Sequence, residues 1–286
     1  MQIVRIRLRE RLTHYCPSSL YIIPRTAGIR AAAISSPVRS ANCYSSIRDQ
    51  EQEAPIWLFN YSNSSDRMIA GFSPYCWRTR MALEHKELAY ETVPVRFTDK
   101  DLISFSDQER VPVIRDGDTV ISDSWAIAEY LETEYPNAPS LFGGATGHGL
   151  AKFLNVWTDR TLHLALIKLV IADIQDHLDP ADRQYFIESR SARFGKLPAE
   201  VQNRSAEDIK AFRSAISTLR AAMEGHDFLS GDAAAYGDYI VFGAFAWARA
   251  ISDYPLLKND DPVYVWRDRM LDMFGGMPLK AVGYDI

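Results

Sequence analysis

FSPYCWRTR, at residues 72–80, is the stretch that decides how this chain folds, because it joins a strand to a helix. The apolar run Ile56–Tyr61 precedes it and predicts a strand, and the residues from Pro74 to about Lys86 follow a helical pattern. Ser73 stands at the N-cap position and Pro74 at the first helical position. A hydroxyl group therefore lies beside the unpaired backbone N–H groups of a helix start, which is a favourable place for an anion.

Strand and helix signals alternate over residues 55–137, the region around this stretch. Three further strands are predicted by apolar runs that end at turn residues: 90–95, 111–114 and 119–122. Pro94 restricts the first of these to a sheet edge, and Gly117 supplies the hairpin turn between the other two. With a short helix or turn at 99–105 and a helix at 124–134, the order β-α-β-α-β-β-α predicts a mixed four-stranded sheet with helices on its faces.

The second half of the chain is predicted to be helical. Residues 138–149 contain a proline and four glycines but few apolar residues, which is typical of a linker. From 150 to 286, apolar residues recur at steps of three and four, with a capping pattern at Ser205 and a nearly all-apolar segment at 239–250. The sequence therefore predicts an α/β domain at 55–137 followed by an all-α domain at 150–286.

Residues 1–54 are interpreted as an extension outside both domains. Residues 1–48 hold eight Arg, no Lys and one acidic residue, a net charge of +7, so the rest of the chain carries −12. An Arg-rich and acid-poor segment is typical of mitochondrial targeting, with a mispredicted start codon or a disordered tail as the alternatives. We therefore expect a cytoplasmic or mitochondrial protein that is not secreted.

The composition of the chain also excludes several classes of protein. An acidic body argues against nucleic-acid binding. No apolar run approaches the roughly 18 residues of a membrane helix. Three cysteines are too few for a disulfide framework, and the six histidines show no metal-ligand spacing.

The hydroxyl of Ser73 suits the stabilisation of another molecule's thiolate. A thiol of pKa about 8.5 must lose about two units to be mostly ionised at pH 7, at a cost of about 2.7 kcal/mol. A helix dipole offers about 0.3–1 kcal/mol, and at most about 2. A hydrogen bond to the charged sulfur adds about 1.5–3 kcal/mol, so the two together suffice. Ordinary helix capping is the alternative role for this residue.

Other candidate residues also have structural alternatives. A cis bond before Pro112 would expose the N–H and C=O of Val111 to an extended peptide, although a proline in a strand run usually marks an edge. Asp123 and Ser124 either cap a helix or bind an amino acid's charged groups. Cys76 is more typical of a packing residue than of a nucleophile.

Three motifs follow one another ahead of the helical domain: SPY at 73–75, VPVI at 111–114 and SDSWAIAEYL at 122–131. In this order they resemble the soluble glutathione transferases. The longer runs SPYCWRTRMAL, ERVPVI and DSWAIAEYLETEYP are most similar to the β-etherase branch, which includes bacterial lignin-degrading enzymes and fungal relatives. The resemblance covers about residues 55–275.

The resemblance implies a thioredoxin-like N-terminal domain and an all-helical C-terminal domain, with glutathione bound at their junction. The glutathione-binding residues implied by position are Ser73, Arg110, Val111, Pro112, Asp123 and Ser124. Ser73 would hydrogen-bond the thiolate, and Val111 before a cis-Pro112 would pair with the cysteinyl backbone. Asp123 and Ser124 would bind the γ-glutamyl end of glutathione, and Arg110 would lie near its glycine end.

The predicted activity is glutathione transfer to an apolar, aromatic electrophile. Aryl-ether cleavage is the favoured reaction, and conjugation and peroxide reduction are alternatives. Trp77, Phe153 and Trp157 are candidates for a co-substrate pocket. The family implies a homodimer, and the composition and spacing of the chain predict no metal, membrane or nucleic-acid partner. Two other functions stay open: a non-catalytic carrier of apolar compounds, and a glutathione-dependent redox protein that uses Cys76.

Overall fold

The computed structural model describes residues 55–62 and 73–284. The predicted extension at 1–54 lies outside these residues. Four strands form one sheet: β1 Ile56–Tyr61, β2 Tyr90–Val95, β3 Val113–Asp116 and β4 Thr119–Ser122. The structure thus contains the strands expected from the sequence, with the third shifted two residues toward its hairpin.

The sheet is mixed, with the strand order β2-β1-β3-β4. β1 runs parallel to β2 and antiparallel to β3, and β3 pairs antiparallel with β4. β2 therefore lies at an edge, as Pro94 predicted. Gly117, at φ +55°, supplies the left-handed conformation of the turn between β3 and β4.

Helices cover the sheet and form the second domain. Their bounds are α1 Pro74–His85, α2 Ser124–Glu134, α3 Ala145–Trp157, α4 His163–Val170, α5 Pro180–Phe194, α6 Pro198–Val201, α7 Ala206–Ala222, α8 Tyr236–Ile251 and α9 Pro262–Lys280. Ser205 caps α7 by accepting a hydrogen bond from the backbone N–H of Asp208 at 3.1 Å, as predicted. α8 is buried along nearly its whole length and is the central helix of the core.

Two features of the helices differ from the sequence prediction. α3 begins at Ala145, inside the predicted linker, because Gly147 lets the helix pass the carbonyl of Phe142; a Cβ on Gly147 would lie 1.8 Å from that oxygen. A π-helical turn at 158–162 separates α3 from α4. The last helix, α9, loses helical geometry at 273–276, a stretch that includes Gly275 and Gly276.

Two hydrogen-bonded clamps join the helices to the sheet domain. The buried carboxylate of Asp182 on α5 accepts from the backbone N–H groups of Phe97 and Thr98, at 3.1 and 2.9 Å. The hydroxyl of Tyr236 on α8 donates to the carbonyl of Ser124 at 2.6 Å. Because these bonds are buried, the start of α2 and the end of β2 are held against the helical domain.

α8 approaches the start of α1 so closely that only glycine fits between them. A Cβ on Gly243 would lie 2.4 Å from the backbone oxygen of Pro74 and 3.4 Å from Cγ of Arg78. Ordinary contacts with a carbon atom are about 3.5–4.0 Å long. Gly243 therefore determines how near the first turn of α1 lies to the core.

We expect Gly243→Ala to destabilise the protein by about 1–3 kcal/mol, because a methyl group there displaces backbone. Gly237→Ala on the same helix is the matched control, since its Cβ would meet only the flexible end of Leu154, at 2.9 Å from Cδ1, and Ser230 Oγ at 3.5 Å. Urea unfolding of both variants measures the difference. An equal loss of unfolding free energy in the two variants would show that the backbone at Pro74 shifts to accept the methyl group at little cost.

Candidate functional site

Ser73 lies immediately before α1, at the N-cap position of this helix. The residue is 4% exposed and has extended backbone geometry. Its Oγ accepts from the backbone N–H of Cys76 at 3.3 Å, which is a long bond. Oγ acts there as an acceptor, so the helix cap itself does not use the hydroxyl proton. The N–H of Tyr75, in the same turn, has no acceptor among the described residues.

Cys76 lies one turn into α1 and is buried. Burial raises the pKa of its thiol to about 11, although the neighbouring Ser73 hydroxyl acts in the opposite direction. A thiol with that pKa is protonated at neutral pH and is a poor nucleophile. Its side chain packs in one cluster with Val111 and Val113, so it serves to hold α1 against the segment that leads into β3.

The Val111–Pro112 bond is cis, as the resemblance implied. Neither backbone group of Val111 has a hydrogen-bond partner among the described residues, whereas the carbonyl of Pro112 accepts from the N–H of Asp123 at 3.3 Å. The packing of Val111 with Cys76 brings this segment to the start of α1. An extended peptide could therefore pair with Val111 close to Ser73.

Asp123 and Ser124 lie where α2 begins. Asp123 is exposed and has φ +76°, which is uncommon for a residue other than glycine. Its Oδ1 caps α2 by accepting from Trp125 N and Ala126 N, at 2.9 and 3.2 Å. Oδ2 accepts no hydrogen bond from the described residues, so Asp123 can cap the helix and still bind a ligand. Ser124 is buried beside it.

The structure also shows a buried polar cluster that the sequence analysis missed. Arg78 on α1 donates to Asn155 Oδ1 at 2.8 Å and to Asp159 Oδ1 at 2.7 Å. Its guanidinium carbon lies 4.6 Å from the centre of the Tyr75 ring. The π-helical turn at 158–162 carries Asp159, which explains why a regular helical pattern did not reveal it.

The charges of this cluster are set by burial and by pairing. Burial opposes the ionisation of Asp159, but hydrogen bonds from His163 and Arg78 lower its pKa below the usual value. Burial also lowers the pKa of His163, so its ring tends to stay neutral. The cluster fixes α1 against α3 and α4 through a charged pair that is largely removed from water.

Positive charges gather near Arg110, which is exposed. Arg110 lies close enough to Arg190 on α5 for its charge to act on it, together with Arg193. Burial first, and these two cations next, lower the pKa of Arg190. The sequence signal was the spacing of three between Arg190 and Arg193, which places both on one face of a helix.

The structure does not bring the three predicted pocket residues together. Trp77 is 2% exposed and packs edge-on against Phe242, with ring centres 6.0 Å apart. Phe153 is 66% exposed, on the side of α3 opposite Asn155, which contacts α1. Trp157 is half-buried against the core. Only Trp157 therefore has a placement that suits a partly open pocket.

Two cavities lie away from Ser73. One, of about 360 Å³, is lined by residues of α2 and α3 that include Glu129 and His148. The other, of about 370 Å³, lies between the sheet edge and the end of α9. Within residues 55–62 and 73–284, no His, Cys, Asp and Glu side chains are grouped as a metal site would require. No helix in that part of the chain has both the length and the apolar character to cross a bilayer.

Family models match both halves of the chain. The model described as "Glutathione S-transferase, N-terminal domain" matches residues 72–134, and the model described as "Glutathione S-transferase, C-terminal domain" matches residues 149–256. Together the matches cover more than half of the chain. They include Ser73, the cis-proline segment, the start of α2 and most of the second domain through α8.

Several curated relatives carry the same family name. The chain is 42% identical to glutathione S-transferase Z2 of Arabidopsis thaliana over 94 residues, 31% of this chain and 38% of that protein. It is 27% identical to the probable glutathione S-transferase GSTU6 of rice (Oryza sativa subsp. japonica) over 69% of this chain and 80% of that protein. The first curated relatives are matched over only about half of their length or less, at 38%, 47% and 55%.

Solved structures show the same fold. Glutathione transferase GSTFuA3 from Phanerochaete chrysosporium superposes with a TM-score of 0.63 at 23% identity, over 78% of this chain and 92% of that one. The glutathione S-transferase CsGST83044 of Ceriporiopsis subvermispora, solved in complex with glutathione, gives a TM-score of 0.63 at 21% identity, over 78% and 95%. At these identities the likeness concerns the fold alone. The two domain matches, in their order along one chain and with the predicted site inside the first, show that this chain belongs to the glutathione S-transferase family.

Proposed function

We propose that the protein is a glutathione transferase that ionises the glutathione thiol and presents it to an apolar, aromatic electrophile. The observation that carries the proposal is the hydroxyl of Ser73 at the start of α1, whose proton the helix cap does not use. It lies next to the backbone N–H of Tyr75, which has no acceptor among the described residues. A protonated Cys76 beside it leaves the thiol of a bound molecule as the reactive sulfur.

The residues around Ser73 suit the other parts of glutathione. The N–H and C=O of Val111, which have no partner in the described part of the chain, match the backbone of an extended cysteinyl residue. Asp123, whose Oδ2 accepts no hydrogen bond from the described residues, and Ser124 would hold the charged γ-glutamyl end. Arg110 would attract the glycine carboxylate, supported by the charges of Arg190 and Arg193.

In the proposed reaction Ser73 keeps its own proton. The glutathione thiol releases its proton to solvent, and the Ser73 hydroxyl with the start of α1 stabilises the thiolate that remains. The sulfur then bonds to the electrophilic carbon and the leaving group departs with the electron pair of the broken bond. Ser73 therefore acts by electrostatic stabilisation and not by covalent catalysis.

Titration of bound glutathione tests this proposal directly. We expect the thiolate absorbance of the complex to develop with an apparent pKa of about 6.5 or lower, against about 8.5 for an unperturbed thiol. The folded protein without glutathione is the spectral reference. A sulfur that is still protonated at pH 8, or the absence of glutathione binding, would remove the basis of the proposal.

For the reaction type, we propose aryl-ether cleavage, on the resemblance of SPYCWRTRMAL and DSWAIAEYLETEYP to the β-etherase branch. The thiolate would attack the carbon that carries the ether oxygen, and a phenolate would leave. A panel of an aryl ether, a halogenated aromatic compound and an organic peroxide separates this reaction from conjugation and peroxide reduction. Turnover of the other two substrates alone would contradict ether cleavage.

Two rival functions give different outcomes. A carrier of apolar compounds would bind hydrophobic dyes tightly with no thiol transfer to any electrophile. A redox protein that uses Cys76 would lose deglutathionylation in Cys76→Ser, whereas we expect little change. The raised pKa of Cys76 supports this expectation.

We also propose that the protein is a homodimer, as the family implies. An apolar face on α3 supports this: Leu150 and Phe153 are 63% and 66% exposed, and Val156 is also exposed. Sedimentation of the native chain at the monomer mass would contradict it.

We propose residues 1–54 as a mitochondrial targeting segment. Attachment of this segment to a fluorescent reporter tests the proposal, and a reporter confined to the cytoplasm would leave the cytoplasmic alternative.

A further inference from the structure

We propose that the groove between the edge of the sheet and the end of α9 binds a small organic anion, with a phosphate or carboxylate head and a short apolar body. The groove, of about 370 Å³, is lined by polar residues of β1, β2 and α1 and by the last turn of α9, including Asn60, Arg80, Thr92, Pro94, Met277 and Lys280. Small-molecule sites begin at about 300 Å³. None of these residues belongs to the proposed glutathione site.

Two buried N–H donors in this groove have no acceptor among residues 55–62 and 73–284. Asn60, at the end of β1, is 3% exposed, and its Nδ2 has no hydrogen-bond partner in that part of the chain. Nε of Arg80 on α1 is likewise buried and has no partner there. Buried donors are almost always paired in proteins, so two of them in one groove indicate that a ligand supplies the acceptor.

The charges that line the groove are positive. Arg80 and Lys280 both line it, and none of the described residues that line it carries a carboxylate. Neither cation forms an ion pair with an Asp or Glu among the described residues. Glu84, one turn beyond Arg80, instead accepts from the hydroxyl of Tyr90 at 2.7 Å. An acceptor that also carries negative charge is therefore favoured over a neutral one.

The two sides of the groove have different chemistry. The guanidinium of Arg80 lies over the Trp77 ring at 5.2 Å, which holds it on the sheet side. Lys280 comes from the opposite side, where its Nζ donates to Gly275 O at 2.9 Å and keeps further N–H groups for a ligand. Pro94 and Met277 add apolar surface. A ligand with a charged head and an apolar body would contact both kinds of surface.

Phenyl phosphate is the probe we would titrate into the full chain, with calorimetry and with NMR of the Asn60 and Arg80 side-chain N–H signals. We expect saturable binding that shifts both signals, and no shift with phenol, which lacks the charge. A parallel titration with benzoate tells a carboxylate head from a phosphate head. Binding of either anion with both shifts supports the proposal.

Lys280→Gln is expected to weaken this binding about tenfold and to fold normally, because Lys280 is exposed. Lys196→Gln removes the same charge from another exposed position and is expected to change nothing. Asn60→Asp replaces the unpaired donor by a negative charge of equal size and is expected to abolish binding.

Three results would overturn the inference. The first is an equal loss in Lys196→Gln, which would mean that binding follows net charge alone. The second is displacement of phenyl phosphate by saturating glutathione, which would place the probe at Ser73. The third is that neither anion shifts the Asn60 and Arg80 signals. Because the groove shares no residue with the glutathione site, these results do not depend on the proposed transferase activity.

Discussion

Ser73→Ala is expected to lower kcat/KM for glutathione-dependent turnover by about a hundredfold or more, because the variant loses the hydroxyl that stabilises the thiolate. A hundredfold loss corresponds to about 2.7 kcal/mol, within the range of a hydrogen bond to a charged sulfur. The apparent pKa of bound glutathione is expected to rise at the same time, which a merely structural role of Ser73 would not produce. Steady-state kinetics and thiol titration measure the two effects.

The same substitution also removes a helix cap, since Ser73 Oγ accepts from Cys76 N. Loss of a cap costs about 1 kcal/mol, so the melting temperature is expected to fall by only about 2–4 °C. Ser205→Ala is the matched control, because it removes the cap of α7, formed by a 3.1 Å bond from Asp208 N. It should lose similar stability and keep its activity. Ser73→Thr, which retains a hydroxyl, should keep most of the native activity. Equal rates for Ser73→Ala and the native protein would remove Ser73 from the mechanism.

Asp238→Ala is expected to destabilise the protein by about 4 kcal/mol and to lower the melting temperature by roughly 10 °C, because four donors lose their acceptor. The carboxylate is fully buried. Its Oδ1 accepts from Leu229 N at 2.8 Å and from Trp266 Nε1 at 3.0 Å. Its Oδ2 accepts from Ser230 N and Ala235 N, both at 3.2 Å. Thermal and urea unfolding measure the loss.

Asp232→Ala controls for the loss of a carboxylate from the same segment. Asp232 is exposed, so a change of at most about 0.5 kcal/mol is expected. If Asp238→Ala also changes the free energy of unfolding by no more than about 0.5 kcal/mol, the four donors must find water or other acceptors. The buried carboxylate would then not be what holds the start of α8 to α9. The catalytic rate of the folded Asp238→Ala fraction should stay close to native, since Asp238 touches none of the proposed glutathione-binding residues.

Much of the fold could be predicted because it follows from local patterns. Pro94 placed β2 at an edge, Ser73 and Pro74 marked the start of α1, and the all-apolar segment at 239–250 identified the central helix. These signals depend on residues within one or two turns of each other. The beginning of α3 at Ala145 was missed, because Gly147 and Gly149 are typical of a linker. Only the close approach of the Phe142 carbonyl to Gly147 shows why a glycine is needed inside this helix.

The candidate site divides in the same way. The motifs and the resemblance proposed Ser73, Arg110, Val111, Pro112, Asp123 and Ser124 as candidates, and these roles stay predictions. The sequence showed no sign of the pairing between Arg78 and Asp159, or of the charge that Arg190 adds near Arg110. These contacts join residues about 80 positions apart. No spacing rule within one element can reveal such pairs.

By itself, the sequence determined which residues could stabilise a thiolate and which elements would carry them, because capping, turn chemistry and strand-edge preferences act over a few residues. Only the tertiary structure decided which of these residues meet and what charge they carry. Burial raised the pKa of Cys76 and made it unfit as a nucleophile, and the packing of α9 against the sheet created a positive groove that no motif indicated. Both effects depend on how much water is excluded by parts of the chain that are distant in sequence.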